Sequence, residues 1–223
     1  MMASAKPVSG RVPATAASIR HAAEMCRAGE LVILPTETVY GVAVRADSPA
    51  ALAHLCAAKG REAAKQLTRM AGDLDAIRQA GATVDDTTQR LAAAFWPGPL
   101  TMVLPDGVGG WLGFRVPDHP VALAWLRELS FLPAVTSANR SGTPPTLTAQ
   151  AAWAALTPHV ALALDDGPSP GGQASTVVRV GQGAVQILRD GPISREDIAA
   201  AARLPVQLAT GEKNTPNQRE RND

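Results

Sequence analysis

Cysteine is scarce in this chain: Cys26 and Cys56 are the only two among 223 residues. Both sit in alanine-rich stretches without metal-ligand spacing, which excludes a disulfide scaffold and a thiolate zinc site. They read as buried thiols in a reducing cytoplasm. Long apolar runs are missing too, and none approaches the ~20 residues that cross a bilayer, so no membrane is expected. The opening MMASAKPVSGRVPATAASIR has no apolar core for a secretion signal, although its Ser, Ala and Arg content faintly resembles an organellar presequence. Neither charge dominates: 21 Lys and Arg against 20 Asp and Glu leave a net charge of +1. No global field therefore points to nucleic acid or membrane. G-x-x-x-x-G-K-[ST], G-x-G-x-x-G and H-x-x-x-H are all absent, which argues against a P-loop, a Rossmann site and a two-histidine metal helix.

What is present is ordinary globular material. Hydrophobic residues make up 46% and charged residues 18%, enough for one domain with a real core. Apolar spacing and caps predict helices over 14–28, 48–58, 73–80, 86–95, 120–129, 148–156 and 194–203. Strands are expected over 31–34, 41–44, 67–70, 100–104, 113–116, 134–136, 160–164, 175–180 and 185–189. Several strands lie too close together for helical crossovers, so the fold class is α/β or α+β, one domain on a mixed sheet. The expected boundaries are a flexible N-terminus over 1–13, a folded domain over 14–205 and a polar tail over 206–223.

Apolar strands repeatedly end in short polar clusters bounded by Gly or Pro. LVIL at 31–34 breaks into PTET at 35–38, two hydroxyls around Glu37. A plain connection would not need that set at the mouth of a core strand, so the question is whether it faces water or a substrate. Lys59-Gly60-Arg61 follows a helix, with Lys65 and Arg69 beyond. Arg115 stands between Phe114 and Val116, ahead of Pro117-Asp118-His119-Pro120. Ser137-Ala138-Asn139 ends one strand, 171–176 leads into another, and Arg189 closes a third. Strand-end loops are where rigid scaffolds hold binding groups.

Lys59, Arg61, Lys65, Arg115 and Arg189 offer positive charge, while Thr38, Ser137, Asn139 and Ser175 offer neutral hydrogen-bond groups. Arginine suits planar recognition of carboxylate or phosphate. His119 is the only histidine near these loops, and no Cys–His pair accompanies it. Chemistry without a nucleophile triad points to charge neutralisation and positioning, as in phosphoryl or nucleotidyl transfer. Plainer readings stand beside these. Lys59-Gly60-Arg61 could be a solvated helix end, Arg115 an edge-strand residue, Ser137–Asn139 a turn, and Glu37 a partner for one of the arginines.

Taken in order, seven segments resemble the YrdC/Sua5 family, the threonylcarbamoyl-AMP synthases. They are PTETVYG at 35–41, KGR at 59–61, FWPGPLT at 95–101, FRVPDHP at 114–120, TSANRSG at 136–142, STVV at 175–178 and ILRDGPIS at 187–194. The resemblance implies a twisted α/β sheet with an open basic concave face. It implies conversion of L-threonine, bicarbonate and ATP to threonylcarbamoyl-AMP and pyrophosphate, for the N6-threonylcarbamoyl modification of tRNAs that read ANN codons. A partner transferase would complete that transfer. ATP is then a substrate carried with Mg²⁺ on its phosphates, with no tightly bound cofactor and no protein metal site. Carried over by motif, Lys59, Arg61, Ser137 and Asn139 match the K-x-R and S-x-N set at the nucleotide, and Arg189 its late arginine. Lys65 is expected to add to the ATP site. Thr38, Arg115 and Ser175 match positions near threonine, with Arg115 suited to a bidentate grip on the carboxylate.

The chain departs from that pattern at Glu62, Gln66 and Met70, and at Gln173-Ala174, where an acidic residue is common. Two further readings stay open. One is a module of the same fold that binds tRNA or double-stranded RNA; the other is a paralogous enzyme making a carbamoyl-adenylate for another acceptor, as in hydrogenase maturation proteins.

Overall fold

The structure is a computed structural model that describes residues 10–60, 67–181 and 183–208. The chain runs through β1 (Gly10–Pro13), α1 (Ala16–Arg27), β2 (Leu31–Leu34), β3 (Gly41–Val44), α2 (Pro49–Lys59) and β4 (Thr68–Met70). It continues through α3 (Leu74–Gln79), α4 (Asp86–Phe95), β5 (Leu100–Pro105), β6 (Trp111–Arg115), α5 (Pro120–Arg127) and β7 (Ala134–Ser137). The last elements are α6 (Ala149–Leu156), β8 (Val160–Asp165), β9 (Thr176–Gly181), β10 (Ala184–Arg189), α7 (Arg195–Ala202) and β11 (Val206–Leu208). All the strands join one mixed sheet in the order β1-β8-β2-β3-β7-β4-β6-β5-β9-β10-β11.

Helix starts follow local chemistry. Thr15, Ser48, Asp73, Asp85, Thr148 and Ser194 each accept a backbone N–H three residues on, satisfying donors that the first turn leaves open. Gly60 closes α2 at φ 65°, a left-handed conformation that a glycine adopts without strain.

The two halves of the sheet are covered differently, and this makes the site. In the first half both faces are buried. Leu31 and Ile33 of β2 pack with α2 and α6, while Val32 and Leu34 pack with α1 and α5. Each of these four side chains is at most 1% exposed, and full burial of such a residue contributes about 1.5–3 kcal/mol. In the second half, Leu100, Met102, Phe114, Val178 and Ile187 face a core with α3, α4 and α7. By strand alternation Thr101 and Arg115 face the other way, onto the side of the sheet that carries a cleft.

Two expected boundaries are corrected. Gly10–Pro13 is ordered, pairing in parallel with β8, and Val206–Leu208 pairs in parallel with β10. Both are edge strands of three or four residues that gain only one partner, so neither carries a strong apolar pattern. Cys26 is buried as expected, but Cys56 is partly exposed, because it lies on a flank of α2 that the sheet does not cover.

Candidate active site

Seven segments converge on a cleft of about 260 Å³. Its walls come from the 35–41 elbow, β4, β5, β6, β7, the approach to β9 and the end of β10. Among the described residues no acidic side chain lines it, whereas Arg115 and Arg189 do.

The polar elbow answers its own question. Thr36 and Thr38 are buried, and their hydroxyls lie 2.9 Å apart. Arg115 Nη2 donates to Thr38 Oγ1 at 2.8 Å, and Thr36 Oγ1 donates to the Val39 carbonyl at 2.6 Å. Thr38 must therefore donate to Thr36, since each hydroxyl has a single proton. The result is a directed chain from Arg115 through Thr38 and Thr36 to the backbone. Thr36 lines the cleft, and Thr38 stands behind it as a fixed acceptor for the arginine.

Arg115 is held at three points. Nε donates to the Gly98 carbonyl at 3.2 Å, and Nη2 donates to Glu37 Oε1 at 2.6 Å as well as to Thr38. The Arg115 and Glu37 side chains are 8% and 15% exposed, so the ion pair is largely shielded from water. With Nε and Nη2 committed, Nη1 is the nitrogen left for a ligand.

Arg189 reaches the cleft through a bulge. Val185 and Ile187 of β10 point into the core, and regular alternation would send residue 189 the same way. The register shifts between Ile187 and Arg189, so that Arg189 faces Val177 on the open side. There its guanidinium donates to the Ser175 carbonyl at 2.8 and 3.1 Å and to Ser175 Oγ at 3.1 Å. Ser175 Oγ also lies 2.8 Å from Thr101 Oγ1. Burial holds the Arg189 pKa below its ordinary value, and the like charge of Arg115 adds to this. The two cations thus share one cleft. Gly191 permits the packing: a Cβ there would overlap the Thr176 backbone nitrogen and lie 2.6 Å from the Ser175 carbonyl carbon.

Lys59 is 4% exposed. Its Nζ donates to the Ser137 carbonyl at 2.5 Å and to Asn139 Oδ1 at 3.3 Å. Asn139 in turn donates to the Arg140 and Thr143 carbonyls. This ties the end of α2 to the 137–143 loop, beside Ser137 in the cleft wall. Behind the elbow, burial lowers the His119 pKa, partly opposed by Asp166 at 3.8 Å, Glu37 and Asp118.

Of the residues singled out in the sequence, Arg115, Ser137, Ser175 and Arg189 line the cleft, Thr38 backs it, and Lys59 with Asn139 borders it. Arg61 and Lys65, like Glu62 and Gln66, lie outside the described residues. Sequence reasoning pointed to Thr36 within the elbow but missed Thr68 and Thr101 as lining residues. The available signal was a lone hydroxyl within otherwise apolar strands, as in LTMVL. Among the described residues no group of three or more His, Cys, Asp or Glu is placed to hold a metal ion.

The profile of the Sua5/YciO/YrdC family, described as telomere recombination, matches residues 24–191. The chain belongs to the Sua5/YciO/YrdC family. A Mycobacterium tuberculosis protein is 38% identical over 182 residues, covering 78% of this chain and 83% of its own length. The threonylcarbamoyl-AMP synthase of Bacillus subtilis is 33% identical over 203 residues, covering 86% of this chain and 58% of that protein. Among solved structures, P. abyssi Sua5 complexed with L-threonine superposes with a TM-score of 0.80 at 29% identity, over 88% of this chain and 61% of that one. The chain thus spans about three-fifths of the length of these last two relatives. No described helix is long and apolar enough to cross a membrane.

Proposed function

We propose that this protein is a threonylcarbamoyl-AMP synthase, joining L-threonine, bicarbonate and ATP into threonylcarbamoyl-AMP with release of pyrophosphate. The observation that carries this is the cleft itself, where Arg115, Ser137, Ser175 and Arg189 meet from distant segments with no acid among the described lining groups. The name of the Bacillus subtilis relative and the threonine bound in the P. abyssi structure support the same reading.

In this mechanism Arg115 Nη1 and the Ser175 hydroxyl hold the threonine carboxylate. Val39, Met70 and Val135 wall the cleft and receive the side-chain methyl. The neutral amine attacks CO₂, in equilibrium with bicarbonate, forming a C–N bond and releasing a proton. A carbamate oxygen then attacks the α-phosphate of ATP in line, the α–β phosphate bond breaks, and pyrophosphate departs. Lys59, Arg61, Lys65, Ser137, Asn139 and Arg189 form the nucleotide side, offsetting the charge that moves onto pyrophosphate. Mg²⁺ enters with the ATP phosphates. A partner transferase passes the threonylcarbamoyl group to tRNA, and the work takes place in the cytoplasm.

An RNA-binding module would need cations spread over a surface, whereas here they converge on a small cleft. A carbamoyl-adenylate enzyme with another acceptor would not need the apolar wall. Initial rates of pyrophosphate release test the proposal. Release should require ATP, threonine and bicarbonate together, fall with serine, and vanish in Lys59→Ala; release without an amino acid would refute it.

A further inference from the structure

A cleft that must hold a carboxylate beside a triphosphate faces a sorting problem. Two guanidinium groups side by side attract a polyphosphate more strongly than a single carboxylate, because the attraction scales with the product of the charges. Arg115 and Arg189 are such a pair, and the charge of Arg115 contributes to the lowered pKa of Arg189. They differ in one respect. Arg115 has an acidic partner, Glu37, at 2.6 Å. Arg189 has none within salt-bridge distance among the described residues and donates only to Ser175.

Glu37 is not among the lining groups. It stands behind Arg115, its Oε1 on Nη2 and its Oε2 buried without a hydrogen-bond partner among the described residues. Its backbone is fixed as well, because the Glu37 carbonyl accepts from Gly171 N at 2.9 Å. Gly171 can approach so closely because it lacks a Cβ, which would lie 2.6 Å from that carbonyl oxygen. The carboxylate therefore cannot withdraw easily, and it cancels one of the two cationic charges without occupying the cleft.

We propose that Glu37 is a specificity-determining residue: by offsetting Arg115 and orienting its Nη1, it reserves the Arg115 end of the cleft for a carboxylate and leaves polyphosphate to Arg189 and the nucleotide side. This rests on the functional reading above, in which both kinds of anion meet in the site. Arg115 and Glu37 together are neutral, so Arg189 is the cation of the three that draws phosphate, at a net charge of +1. Removing the negative charge leaves +2, matched to a pyrophosphate-like group.

The test is calorimetric titration of the full chain with inorganic pyrophosphate. Glu37→Gln, which keeps an acceptor oxygen for Nη2 but loses the charge, should bind pyrophosphate about tenfold more tightly than the wild type. Glu37→Asp, which keeps the charge, should stay near the wild-type value, and so should the double variant Glu37→Gln/Arg115→Gln. Unchanged affinity in folded Glu37→Gln, or a gain that persists in the double variant, would overturn the proposal. Should Glu37→Gln fail to fold, the wild type decides: saturating pyrophosphate should leave its threonine dissociation constant unchanged, and mutual displacement would overturn the idea. Failure of the functional reading is visible separately, as wild-type protein that forms no threonine-dependent adenylate, because the pyrophosphate titration does not require that reaction.

Discussion

The ammonium of Lys59 lies 2.5 Å from the carbonyl oxygen of Ser137, joining the last residue of α2 to the last residue of β7. The same Nζ reaches Asn139 Oδ1, so one buried cation fixes the S-x-N segment. Replacing Lys59 by Met keeps much of the volume and removes the donor. Product formation should fall by about a hundredfold or more, and the carbonyl and amide oxygens left behind should cost about 1–3 kcal/mol of stability. Initial rates and a urea midpoint measure both; a fully active Lys59→Met would remove the residue from the mechanism.

Gly191 and Ser175 are coupled by close approach rather than by a side chain. Gly191→Ala would push the 190–192 turn off the Ser175–Thr176 backbone, at a cost of about 1–3 kcal/mol. Because Ser175 accepts from Arg189 and borders Thr101, threonine affinity should fall together with the unfolding midpoint. A lower midpoint with unaltered threonine affinity would make the turn purely structural.

His119 sets an acid limit on stability. Burial holds its folded pKa below the ordinary 6.5, so the unfolded chain takes up a proton first as pH falls. The contribution of the neutral imidazole is complete above that ordinary pKa and is lost progressively below it. Melting temperatures at about pH 7.5 and pH 5.5 should differ more for the wild type than for His119→Gln. Equal losses in the two proteins would contradict this assignment.

The two thiols should react very differently. Burial pushes the Cys26 pKa up to about 12, and Cys56 is partly exposed. Iodoacetamide on the native protein should alkylate Cys56 and spare Cys26 until denaturant is added, because the thiolate is the reactive species. Peptide mapping reads this directly, and equal labelling of both in the native state would contradict the packing of α1.

Much of this was legible in the sequence, for a physical reason. Strands such as LVIL and LTMVL are buried deeply enough that composition alone marks them, and the polar residues at their ends stand out against that background. Arg115, Ser137, Ser175 and Arg189 were therefore visible as candidates before any geometry. The edge strands Gly10–Pro13 and Val206–Leu208 were not, because each is short, half-exposed and interrupted by or preceded by proline. The bulge that turns Arg189 outward was equally hidden, since it depends on pairing with β9 rather than on local residues. Glu37 was readable as a partner for an arginine, but which arginine is decided by β6 lying beneath the elbow.

The most direct test of the central claim is mass spectrometry of the reaction run with ¹³C-bicarbonate, threonine and Mg²⁺–ATP. The account predicts an adenylate that contains threonine and carries the labelled carbon, formed together with pyrophosphate and absent when threonine is omitted. An unlabelled threonyl-adenylate, or AMP attached covalently to the protein, would contradict it.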